Sequence, residues 1–192
     1  VHLMWPSSRL PDWLPPMIIA EAKKTAADNL KSIDSILADA RRYATAQASG
    51  MPATDLRLAA MVPVLERKQR LFVHADDLTS LRQSIELCRR EKLDCVLVGA
   101  SDGWRLSSEI ASAKIPVILG SPFTLPSRRH EGFDTVYRNA ARLYQAGVTV
   151  VIAGDGTSFA APLEKNLAHH AAQTVAYGLP ADIALQAITI NA

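Results

Sequence analysis

The stretch Leu71-Phe72-Val73-His74-Ala75-Asp76-Asp77 decides the fold. Three apolar, β-prone residues run into a histidine and two carboxylates, and a helical pattern begins at once. A short continuous apolar run of this kind reads as a strand covered on both faces, as in a parallel sheet. Such sheets carry their chemistry at the carboxyl edge, where strands end, and His74 stands there. The unit is a strand over 71–74 and a helix over 77–91, with Leu78, Leu81, Ile85 and Cys88 inward. It returns three times. Strand 94–98 leads through Gly99-Ala100-Ser101-Asp102 to a helix ending near Ala113, with Ser101 or Asp102 as N-cap. Strand 116–119 leads through a long loop, 120–132, to a helix over 133–146 stopped by Gly147. Strand 148–153 leads through Gly154-Asp155-Gly156 to a helix over 163–177 stopped by Gly178, and a short helix covers 181–188.

Upstream, residues 1–17 hold four prolines and two tryptophans and read as an irregular segment. Leu30, Ile33, Leu37 and Ala44 recur at helical spacing and predict a helix over 19–48. A second helix starts near Asp55, and Pro63 predicts a kink or break at Val62, because proline removes a backbone donor. The chain thus divides into an irregular segment plus helix over 1–54 and the repeating units over 55–192. Repeated strand–helix units imply right-handed crossovers and a parallel sheet, hence an α/β fold. Two architectures satisfy this: an open doubly wound sheet, or half of a (β/α)8 barrel. No Gly-x-Gly-x-x-Gly follows any strand and two helices precede the first, which favours the half-barrel; periodicity alone leaves both open.

Composition narrows the function. With 21 basic and 19 acidic residues the charges nearly balance, so no general attraction to nucleic acid follows. No apolar run reaches the ~18 residues of a membrane span. The amino end has no basic segment followed by an apolar core, so no signal peptide is read, and cytoplasm and periplasm both stay open. Cys88 falls on a helix stripe and Cys95 inside a strand, outside any Cys-x-x-Cys pair, and both are expected as buried free thiols.

From about Asp55 onward a run of stretches stands in order: Val73-His74-Ala75-Asp76, Gly99-Ala100-Ser101-Asp102-Gly103-Trp104, Ile115-Pro116-Val117-Ile118-Leu119-Gly120 and Arg138-Asn139-Ala140-Ala141-Arg142-Leu143. Ala146-Gly147-Val148, Gly154-Asp155, Ala176-Tyr177-Gly178-Leu179-Pro180 and 184–191 complete it. In this run the chain resembles the second half of a metal-dependent amidohydrolase of the imidazolonepropionase-like group. The resemblance implies a bacterial-type hydrolase with a TIM barrel, whose fifth to eighth strands are those at 71–74, 94–98, 116–119 and 148–153. It implies His74 as the fifth-strand metal ligand. Asp155 matches the eighth-strand aspartate, a metal ligand that also acts as general base and then acid toward metal-activated water. The first-strand His-x-His pair, the fourth-strand bridging residue and a sixth-strand histidine of the family have no counterpart here.

A hydrolytic metal, here a divalent cation of the zinc type, needs about three protein ligands and an open position. His74 and Asp155 supply two, so weak or absent metal is expected for this chain alone, and a complete site once a missing barrel half or a second protomer closes the ring. Asp76 could orient His74 from behind, and Asp76 and Asp77 both read as helix caps. Arg128 and Arg129, in the loop above the third strand of the repeat, could hold the carboxylate of a small-molecule substrate. Adjacent helical positions diverge by about 100°, so His169 and His170 do not share a metal, and His170 is the inward one. His130 and His2 are read as solvated loop residues, and Trp104 and Tyr137 as packing aromatics. Two alternatives remain: a catalytically degenerate relative that binds a small molecule or a subunit, and a phosphate site at Gly154-Asp155-Gly156-Thr157-Ser158, which the Asp155 charge opposes.

Overall fold

The computed structural model describes residues 1–6, 13–50, 55–126, 128–154 and 161–192. Five parallel strands form one sheet: β1 (His2–Met4), β2 (Leu71–Ala75), β3 (Cys95–Gly99), β4 (Val117–Leu119) and β5 (Val150–Ile152). Their spatial order is β1-β2-β3-β4-β5, the order of the chain. That order separates the two architectures left open above. A doubly wound sheet reverses its order at a switch point, whereas this one never reverses, so right-handed crossovers place every helix on one face. This is the arrangement of a (β/α)8 barrel, of which the chain forms a part.

The helices are α1 (Pro16–Ala48), α2 (Leu56–Leu65), α3 (Leu78–Glu91), α4 (Ser107–Ala113), α5 (Asn139–Gln145), α6 (Leu167–Ala176) and α7 (Ala181–Ala187). The two faces of the sheet differ as a barrel wall requires. Leu71, Val73 and Ala75 of β2, Cys95 and Leu97 of β3, Val117 and Leu119 of β4, and Val150 and Ile152 of β5 belong to the core beneath the helices. The register puts His2, Met4, Phe72, His74, Val96, Val98, Ile118 and Val151 on the opposite, inner face.

Four expectations are corrected. The amino-terminal segment is not wholly irregular: His2–Met4 pairs with β2, the Trp5 N–H donates to the His74 carbonyl at 3.0 Å, and the Trp5 indole is buried in the core. Pro63 does not break α2, because it lies in the last turn, where Lys68 and Gln69 N–H groups close onto its carbonyl. The helix expected from 133 begins at Asn139, after a series of turns in which Thr135 N–H donates to Gly132 and Arg138 N–H to Asp134. Cys88 and Cys95 are a disulfide, not free thiols. Lys92, left-handed at φ 54°, ends α3 and turns the chain straight into β3, which brings the two Cα atoms to 6.2 Å, within disulfide reach.

Helix α1 lies outside the repeating units and buries Ala26, Leu37, Ala40 and Tyr43. Ion pairs from Arg41 to Glu91 and from Asp34 to Arg90 fasten it to the end of α3. Gly147 and Gly178, at φ 89° and 106°, stop α5 and α6 as the sequence predicts. Among the described residues no helix is long and apolar enough to cross a membrane.

Candidate active site

Beyond the last ladder bonds, the loops after β2 and β3 continue to pair. Ala100 N–H donates to Ala75 O at 2.8 Å, and Asp102 N–H to Asp76 O at 2.9 Å. Gly99, at φ 95°, makes the bend, and a Cβ there would stand 2.5 Å from an Asp76 carboxylate oxygen. Backbone chemistry therefore builds a rigid carboxyl edge before any polar side chain is counted.

His74 occupies this edge, half-buried, on the inner face. Its Nε2 faces the Nδ1 of His2 at 2.9 Å. Burial of the ring, reinforced by the neighbouring His2 imidazole, pushes the His74 pKa below its ordinary value, while the Asp76 charge pulls the other way. The lowered value favours the neutral imidazole that ligation requires. His2 is exposed, as expected from sequence, but it stands in a strand rather than a loop and contacts His74. A strand of three residues followed at once by Trp5 and Pro6 carries too short an alternation to be read, and only its pairing with β2 reveals the contact.

Asp76 does not hydrogen-bond to His74. Its Oδ1 accepts the Ser101 hydroxyl at 2.8 Å and so locks the two loops together. Asp77 is the N-cap of α3, accepting Thr79 and Ser80 N–H groups at 3.1 Å, as expected. Asp102 caps the wrong helix for the sequence reading: its Oδ2 accepts the Leu78 N–H of α3 at 3.0 Å rather than a donor of the helix that follows it. Burial alone would raise the Asp102 carboxyl, but hydrogen bonds from Arg128 and Leu78 outweigh it and hold the pKa below the ordinary carboxylate range.

Arg128 is committed. Its two terminal nitrogens meet Asp102 at 2.7 and 2.6 Å, and one also meets Glu131 at 2.7 Å. A substrate carboxylate at Arg128 would have to displace one of these partners. Arg129 and His130 are exposed on the same loop. The Arg105 and Arg142 guanidinium groups pack over the Trp104 ring, 4.8 and 4.6 Å from its centre, and Tyr137 packs on Tyr177.

Two adjoining cavities run along the carboxyl edge. One of about 310 Å³ is lined by Asp76, Gly99, Ser101, Gly120, Ser121 and Asn139. The other, about 500 Å³, is lined by Ser121, Phe123, Gly154, Glu164, His169 and His170, with Ser121 common to both. His170 is buried and His169 exposed, and the His170 Nδ1 has no hydrogen-bond partner among the described residues. Asp155 lies outside the described residues, as do Gly156, Thr157 and Ser158; the described chain ends this loop at Gly154, beside the larger cavity. Among the described residues no group of three or more His, Cys, Asp or Glu side chains is placed to hold a metal ion.

No protein-family model matches the sequence, and no curated protein does. A solved structure, an amidohydrolase from Thermotoga maritima MSB8, superposes with a TM-score of 0.75 at 20% identity, covering 99% of this chain. The chain has an amidohydrolase-like fold. It spans about half the length of that structure, 49%, so the likeness extends over part of that protein.

Proposed function

We propose that the chain provides the second half of the barrel of a metal-dependent amidohydrolase, imidazolonepropionase-like in type, that hydrolyses a carbon–nitrogen bond outside peptides. The observation that carries the reading is the place of His74: at a strand's carboxyl end, on the inner face of a sheet with an amidohydrolase-like fold, its ring biased toward the neutral form. His74 and Asp155 would hold a divalent cation of the zinc type, which supplies Lewis acidity toward a carbonyl and water. Asp155 takes the proton of the attacking water and returns it to the leaving nitrogen, serving as base and then acid. The adjoining cavities give a small substrate room beside Gly154, and Arg129 is the better placed loop arginine for a substrate carboxylate, since Arg128 is engaged elsewhere. The remaining strands of the ring come from further residues of the same protein or from a second protomer.

The test is turnover of small cyclic amides by protein carrying the complete barrel, with its zinc content measured alongside. Asp155→Asn is expected to lower kcat by roughly a hundredfold or more, and His74→Ala to lower zinc content. Turnover unchanged in both variants would overturn the reading. One observation favours a second reading, a degenerate relative that binds without turnover: β3 ends Val98-Gly99-Ala100, with no imidazole at that strand end. Ligand binding that persists in His74→Ala, with no hydrolysis in the parent, would select it.

A further inference from the structure

The amino edge of the sheet carries charge that the proposed chemistry leaves unused. Strands β2, β3 and β4 are each entered through a left-handed residue that follows a helix: Arg67, Lys92 and Lys114, at φ 58°, 54° and 56°. Gly147 makes the equivalent turn before β5, where a missing Cβ removes the steric cost. The three cations, joined by Arg89, line one cavity of about 400 Å³. Arg67 Nε donates to the Lys92 carbonyl at 2.6 Å, and a terminal nitrogen of Arg89 donates to the Glu109 carbonyl at 3.2 Å. Both acceptors are neutral, so the guanidinium groups are fixed in place without losing their charge. Among the described residues none of the four cations forms an ion pair, and Asp94, the carboxylate on the cavity wall, is held by Arg70 at 3.2 Å. Helix carboxyl ends attract cations, and each of the three ends here supplies about half a negative charge. Four full positive charges exceed that, and the surplus suits an anion. The Cys88–Cys95 bridge lies in the same wall and braces the end of α3 against β3.

We propose that this amino-edge cavity binds a small phosphorylated molecule through Arg67, Arg89, Lys92 and Lys114. Guanidinium forks meet phosphate oxygens in pairs, and the ammonium groups add point charge. Among the described residues no aromatic ring lines the cavity to stack a base, which favours a diphosphate or a sugar phosphate over a nucleotide. The near balance of charge over the whole chain speaks against a long polyanion. Strand β3, five residues and so roughly 13 Å long, separates this rim from the one that carries His74. The site is therefore distinct from the proposed hydrolytic one, and neither depends on the other.

The experiment is calorimetric titration of the full chain with pyrophosphate and with a hexose bisphosphate at about 0.1 M NaCl, with citrate as the anion lacking phosphate. Backbone amide shifts locate the bound species. One equivalent of either phosphate compound is expected, with shifts centred on residues 92–95 and 113–115 and citrate weaker by about tenfold or more. Lys92→Gly combined with Lys114→Gly removes two charges at positions whose left-handed backbone glycine accepts. That variant should fold and bind pyrophosphate about tenfold or more weakly. Unchanged affinity in it overturns the proposal. So does the parent chain alone if it shows no saturable binding of either phosphate compound, binds citrate as tightly, or shifts at Ser121 and Gly154 instead. Turnover and zinc content, which test the hydrolase, are untouched by any of these results.

Discussion

The Asp102 carboxylate receives both terminal nitrogens of Arg128, at 2.7 and 2.6 Å, and at the same time the Leu78 N–H, at 3.0 Å. One buried side chain thereby joins the loop after β4, the loop after β3 and the start of the helix after β2. The rim of the sheet is held at a single electrostatic knot.

Removing the guanidinium leaves Asp102 buried with its charge only partly satisfied. Arg128→Ala should cost about 2–3 kcal/mol, read as a lowered urea midpoint with unchanged m-value. Arg128→Lys should recover only part, because an ammonium cannot form the two-nitrogen fork.

The same knot sets an acid limit. The folded Asp102 pKa lies below the unfolded value of about 4, so its stabilisation is fully present above that value. It is lost as pH falls through the lower folded pKa. Urea unfolding followed from about pH 6 to about pH 2 should show the Arg128→Ala variant losing less across the acid limb than the parent. Parallel curves would count against the ion pair as a stabilising element.

The Cys88–Cys95 bridge closes a short loop between α3 and β3. Chain-entropy reasoning assigns such a loop about 2.5 kcal/mol. Reduction, or Cys88→Ser with Cys95→Ser, should lower Tm by roughly 5–10 °C for a domain of this size. Thiol titration of the untreated denatured protein should detect no free cysteine.

Gly99→Ala places a methyl group against Asp76 in a left-handed conformation at φ 95°. A loss of roughly 1–3 kcal/mol is expected. Relief of the loss on adding Asp76→Ala would trace it to the side-chain clash; persistence would trace it to the backbone.

The parts of this fold that sequence reveals are those whose environment is local. Strands β2 to β5 read as unbroken apolar runs because helices cover their outer face and neighbouring strands crowd their inner one. Strand β1 escaped notice because its three residues include an exposed His2 and Met4, and its strand character comes wholly from pairing with β2. Cys95 gave no disulfide signal, since its partnership depends on the tight Lys92 turn rather than on spacing. His74 at a carboxyl edge was legible from the residues that follow it. Its contact with His2, 72 positions away, and the clasp of Arg128 on Asp102, 26 positions away, are products of topology.

The unbroken strand order carries a consequence for whatever completes this sheet. Among the described residues it can grow at two rims alone, the outer edges of β1 and β5. At either rim a newcomer that continues the pattern must run in the same direction and keep its helix on the outside. Hand and polarity are thus dictated to any joining segment before a single one of its side chains has been chosen.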